Sequence, residues 1–183
     1  MKTNDVTMVV KKLNKQTVEF HNLFIQRTIE WAHKKYAACI KYLEEYEPQY
    51  NELVNEIRSI GSCTYRSEAY YRWVDLAKRR DAFQKAISKA KMVTYKGVDD
   101  FVKRSVEAAE ETFNRNINVL ATKLIDKGIN TTKMSVKHID DDNKYFELYI
   151  TDGTLKLYAR SIIAAEYSDK MATHFRFIIT NRK

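Results

Sequence analysis

Glycine occurs four times and proline once in 183 residues, and this scarcity constrains the fold more than any other feature. Left-handed turns draw on Gly and helices are interrupted by Pro, so such a chain can break its regular structure in few places. Gly61, Gly97, Gly128, Gly153 and Pro48 are read as that punctuation. The same scarcity excludes a collagen-like chain, a long flexible linker and a Gly-rich phosphate cradle. The length suits one domain, or one core with an appendage. With 31% charged and 44% hydrophobic residues, the chain is expected to be globular.

Between the breaks the hydrophobic pattern is mostly helical. From about residue 5 to 47, Val6, Val10, Leu13, Thr17, Phe20, Phe24, Thr28 and Trp31 recur every three or four positions, and Ala38, Tyr42 and Tyr46 extend the stripe. A bend is expected near Asn14. Pro48 is expected to end this helix and open a second, carrying Leu53, Val54, Ile57 and Ile60 and ending at Gly61. A third starts near Ser67, a candidate N-cap, with Ala69, Trp73, Leu76, Phe83, Ile87 and Ala90 as its apolar stripe. A fourth runs from about Val98 to Lys127 on Val102, Val106, Ala109, Phe113, Ile117, Leu120 and Leu124, with Gly128 as its cap. Trp31, Phe113 and Leu120 are expected in the core between helices.

After residue 130 the period changes to two, the strand signature. Asp152-Gly153 is a strong hairpin signal. A two-residue loop there pairs Ile150 with Leu155, Leu148 with Leu157 and Phe146 with Ala159. The other face then sets Tyr145 opposite Arg160, Glu147 opposite Tyr158 and Tyr149 opposite Lys156. A last strand is expected over 173–180. The expected fold is α+β: a bundle of about four helices over 1–130, with long first and fourth helices, packed with a four-strand antiparallel meander over 131–183 as one structural unit.

A search for chemistry turns up little. No G-x-S-x-G motif occurs, and neither Cys39 nor Cys63 lies near a His in sequence. The two cysteines form neither a disulfide framework nor a zinc pattern. Glu30 and His33 have the Glu-x-x-His spacing of di-iron bundles, but no second Glu-x-x-His accompanies them. Asp140, Asp141 and Asp142 read as a polar turn, and Asp142-x-Lys144 has the acidic-x-Lys form of metal-dependent nucleases, in a turn rather than a strand. No catalytic residue, metal or cofactor is expected, and the chain is read as a non-enzyme. No stretch approaches the roughly 20 apolar residues of a membrane span, and Met1-Lys2-Thr3-Asn4-Asp5 leads into no apolar region of signal-peptide type. The expected place is the cytoplasm of a bacterial host, with no membrane partner.

The net charge of +8 is unevenly placed. Residues 1–60 carry nine Lys or Arg against eight Asp or Glu, whereas residues 64–96 carry nine against three. On a helical wheel Lys78, Lys85 and Lys89 fall together, opposite the Trp73–Phe83–Ile87 stripe, with Arg72 and Arg79 at its edge. Arg80 and Lys91 project to the apolar side, where each must snorkel or meet an acid. Tyr65, Tyr70, Tyr71 and Tyr95 are interleaved with these cations. Cations neutralise phosphates and aromatics stack on exposed bases, so the candidate binding face comprises Arg72, Lys78, Arg79, Arg80, Lys85 and Lys89. A merely solvated basic face is the competing account. The outer hairpin face, with Tyr145, Tyr149, Lys156, Tyr158 and Arg160, is the second candidate, since Tyr and Arg are enriched at binding hot spots. Such cross-strand pairs also stabilise a sheet that binds nothing.

The Lys-, Asn- and Ile-rich usage, the compact size and the absence of a catalytic motif resemble small proteins of phages and conjugative elements. The closing segment adds to this: Ala159-Arg160-Ser161-Ile162-Ile163-Ala164, then His174-Phe175-Arg176-Phe177-Ile178-Ile179. Within that group the chain resembles the type II anti-CRISPR proteins that block Cas9, mainly over its last 50 residues. The resemblance implies binding to Cas9 or its DNA without catalysis. That group shares no common motif, so no functional residue carries over. Many of its members are acidic DNA mimics, and this chain's basic charge points instead to contact with DNA or guide RNA, or to another site on the effector. The expected partner is therefore nucleic acid, a nucleoprotein nuclease such as Cas9, or both. Two alternatives stand beside it: an oligomerising coiled-coil protein, homodimeric through its helical stripes, and a small metal-dependent nuclease.

Overall fold

The computed structural model describes residues 2–126, 128, 134–138, 145–151, 156–162 and 177–182, with side-chain environments for 6–126 and 128. Four helices fill the first part: α1 (Lys2–Gln16), α2 (Val18–Ile60), α3 (Glu68–Thr94) and α4 (Val98–Asp126). The α+β expectation is corrected here. The region whose side chains are described is 90% helical, with four helices and no strand, and no meander packs on a bundle within it. Among the described residues its buried core is formed by side chains of three helices, whose 3.6-residue stripes face one another.

The chain divides into two compact units, Met1–Trp31 with Val102–Lys183, and Ala32–Phe101. In the first, Val9 and Leu13 of α1, Phe20 and Phe24 of α2, and Ala109, Phe113, Ile117, Leu120, Ala121 and Leu124 of α4 form one buried cluster. The Phe20 and Phe113 rings tilt together at 6.1 Å, and His21 lies 4.5 Å from the Phe113 ring. The spacing of the α4 stripe thus meets two other helices. Trp31 is only half-buried, unlike its expected place in the core.

The interruption expected near Asn14 falls instead at Thr17, the single residue between α1 and α2. Thr17 is fully buried, and its hydroxyl donates to the Leu13 carbonyl at 2.8 Å. Its backbone amide donates to the same oxygen at 2.9 Å. A Thr hydroxyl competing for the i−4 carbonyl bends a helix, which local apolar spacing does not signal.

The expected break at Pro48 is also corrected: α2 runs through it to Ile60. Proline leaves the Glu44 carbonyl without its usual amide donor. Nearby, the Gln49 side-chain amide donates to the Glu45 carbonyl at 3.1 Å. Contacts just before Pro48, together with the Arg72–Glu56 pair after it, hold α2 to α3 within the second unit. The Tyr46 ring lies 5.9 Å from Phe83, and Lys91 pairs with Glu47. Packing of this kind outweighs local propensity, which is the usual source of helix stability in proteins.

The helix ends follow the expected residues. Gly61 has φ +64°, the left-handed conformation that suits glycine, and its amide bonds the Arg58 carbonyl at 3.2 Å. The Ser67 hydroxyl accepts from the Tyr70 amide at 3.1 Å and caps α3.

Beyond the helices only backbone is described, in four extended segments: β1 (Met134–His138), β2 (Tyr145–Thr151), β3 (Lys156–Ile162) and β4 (Phe177–Arg182). They run antiparallel in the order β1-β2-β3-β4. The β2–β3 register also departs from expectation. Thr151 pairs with Lys156, Tyr149 with Tyr158, Glu147 with Arg160 and Tyr145 with Ile162. Four residues, rather than two, separate the paired ends, so each partner moves by two positions. A slip of two keeps the alternation in phase, which is why the hydrophobic pattern could not exclude it. Asp140–Asn143 and Asp152-Gly153 lie outside the described residues.

Candidate nucleic-acid interface

The candidate face lies on α3, in the second unit. This helix buries little: Leu76, Ile87 and Ala90 are its buried residues. Ala69 and Trp73, expected in the stripe, are exposed, Trp73 at 37%, and Phe83 is half-buried. The stripe therefore narrows to Leu76, Phe83, Ile87 and Ala90, since the N-terminal turns of α3 reach past the cover available to them.

The seven cations of α3 separate into two sets. Three are paired. Arg72 meets Glu56 of α2 at 2.6 Å, and Arg80 meets Asp81 at 2.7 Å. Lys91 meets Glu47. Arg80 and Lys91, on the apolar flank, thus both meet an acid. The other four, Lys78, Arg79, Lys85 and Lys89, are exposed and have no carboxylate partner among the described residues. Lys78 and Lys85 are two turns apart, and Lys89 is one further turn on, so the three make a row down the solvent side.

Aromatic side chains crowd the N-terminal end of α3. Tyr65 and Tyr71 are 68% and 60% exposed. Tyr70 lies between them, edge-on to each, with ring centroids at 5.1 Å and 5.6 Å. The Arg66 guanidinium sits over the Tyr65 ring at 5.3 Å. Arg66 has φ +63°, an uncommon conformation for a residue with a Cβ. Beside this tip is an open depression of about 410 Å³, lined by Ser59, Ile60, Glu68, Ala69 and Arg72. Tyr95, at the far end, is 80% exposed. Sequence reasoning noted these tyrosines but did not gather them into a site. The adjacent Tyr65-Arg66 pair is the one local signal that could have done so.

The side chains of the hairpin candidates Tyr145, Tyr149, Lys156, Tyr158 and Arg160 lie outside what the structure describes. Their backbone register does not set Tyr145 opposite Arg160, nor Tyr149 opposite Lys156.

Residues with catalytic potential are dispersed. Cys39 is buried, and burial pushes its thiol above the usual range, with Lys35 pulling the other way. A thiol held protonated is a poor nucleophile. Tyr46 is also held above its ordinary range, chiefly by its hydrogen bond with Glu45. Glu30 and His33 are exposed, and Glu30 accepts from Gln26 at 3.1 Å. Among the described residues no group of three or more His, Cys, Asp or Glu could hold a metal ion. No described helix is long and apolar enough to cross a membrane. No family model, curated protein or solved structure matches this chain.

Proposed function

We propose that this chain is a non-enzymatic binding protein that engages nucleic acid, free or held in a nucleoprotein nuclease, through the basic row of α3. One observation carries it: the row Lys78, Lys85 and Lys89, with Arg79 beside it, is exposed and unpaired among the described residues, while Arg72, Arg80 and Lys91 each meet a carboxylate. Paired cations are neutralised at home. Unpaired ones in register attract polyanions and release counterions on contact. In its most specific form the proposal makes the chain a mobile-element inhibitor of a Cas9-like effector, in keeping with the resemblance of its closing segment. Weighing against the coiled-coil alternative, Val9 and Leu13 of α1, Phe20 and Phe24 of α2 and the Ala109–Leu124 stripe of α4 already cover one another within the first unit.

The test is the salt dependence of binding for the wild type and for Lys78→Gln/Lys85→Gln/Lys89→Gln. Each phosphate neutralised contributes a log–log slope of about −0.9 on duplex and about −0.7 on single strands. The triple variant should lose two to three such contacts, weakening all sequences alike, with its helix content unaltered. Capture of a Cas9 ribonucleoprotein, with and without nuclease treatment, then separates contact with nucleic acid from contact with protein. Unaltered binding of the triple variant in both assays would leave α3 an ordinary solvated face.

A further inference from the structure

We infer that the tip joining α2 to α3 is a base-stacking platform, so that the nucleic acid taken by the lysine row is single-stranded. The inference rests on the proposed role of that row. Its own ground is the placement of aromatic faces. Tyr71 stands seven residues before Lys78, and Lys78 seven before Lys85, so ring and ammonium groups share one exposed stripe of α3. Tyr71 to Lys89 spans eighteen residues, about 27 Å of helix. That is a track for a short run of backbone, with rings at one end.

Tyrosines with this much exposed face are costly to hydrate and are not needed by the core. Tyr70 meets Tyr71 and Tyr65 edge-on, and both of these keep most of their surface exposed. Arg66, in its strained left-handed conformation, is held over Tyr65 and adds a cation where the stacked base's phosphate would pass. A duplex keeps its base faces stacked inside and could use the lysines but not the rings. A single strand could use both, and stacking of bases on aromatics beside a basic track is how strands are held without sequence preference. A protein partner would also find Tyr and Arg attractive. The alignment of the rings with an unpaired row of lysines, rather than with apolar surface, favours the polyanion.

The experiment is fluorescence anisotropy on the full chain with a labelled thymidine strand of about 12 nucleotides and a labelled duplex of the same length. The single strand should bind about tenfold tighter or more. Tyr65→Ala and Tyr71→Ala should each weaken it by about 5- to 150-fold, the range expected for loss of one stacked base. Both should leave duplex binding within about twofold, because phosphate contacts do not involve the rings. Tyr71→Phe should restore strand binding, since it keeps the face and loses the hydroxyl. All these positions are exposed, so folding is not at stake. Equal affinity for strand and duplex, both still weakened by the triple lysine variant, would overturn the stacking platform and leave the lysine row intact. Tyrosine variants that bind the strand like wild type would do the same. No binding of either probe at low salt would overturn both.

Discussion

The Thr17 hydroxyl donates to the Leu13 carbonyl at 2.8 Å, at the one residue where α1 gives way to α2. The same carbonyl also takes the Thr17 amide, so the hydroxyl is not its sole partner. Thr17→Val keeps the shape and the backbone bond. Its effect on stability should stay within about 1 kcal/mol, because a shared acceptor is not left unsatisfied. A loss above about 2 kcal/mol in urea unfolding would mean that the hydroxyl has a larger structural role than this bond.

Pro48 lies exposed in the interior of α2. Pro48→Ala restores an amide to the Glu44 carbonyl and removes a ring that crowds the preceding turn. The gain is partly offset by a freer unfolded chain. A net stabilisation of about 1–2 kcal/mol is expected. Destabilisation in a thermal melt would show that the proline ring serves the native packing.

Phe113 is buried in the first unit's core, with Phe20 and His21 both against it. Phe113→Ala should cost about 3–5 kcal/mol by chemical denaturation. A loss under about 1 kcal/mol would be incompatible with the buried cluster.

The two thiols should behave differently. Cys39 is buried and Cys63 is half-exposed. An aromatic disulfide reagent at mildly alkaline pH should modify Cys63 quickly and Cys39 only on unfolding. Because the folded Cys39 thiol is pushed up, the native state holds its proton at a pH where the unfolded chain releases it. Its contribution to stability is therefore complete below the ordinary thiol range and is lost as pH rises above it. Stability that rises with pH in that window in wild type, but not in Cys39→Ala, would contradict the burial of the thiol.

Much of the helical architecture was legible in the residues themselves. The stripe from Ala109 to Leu124 has a period near 3.6, and period is a property of neighbouring positions. Gly61 and Ser67 end and begin helices through their own backbone and hydroxyl chemistry. The common face of Lys78, Lys85 and Lys89 follows from helix geometry alone. Tertiary structure decided the rest. The interruption lies at Thr17 and not near Asn14, and α2 passes through Pro48, because packing outweighs weak local preferences. The Trp73 stripe is cut short because cover for its first turns is missing, which no single-helix pattern records. Which cations are free depends on acids far along the chain: Glu56 is 16 residues from Arg72, and Glu47 is 44 from Lys91. A sequence window sees the face a side chain takes on its own helix. The partner it meets there is decided only when distant segments pack.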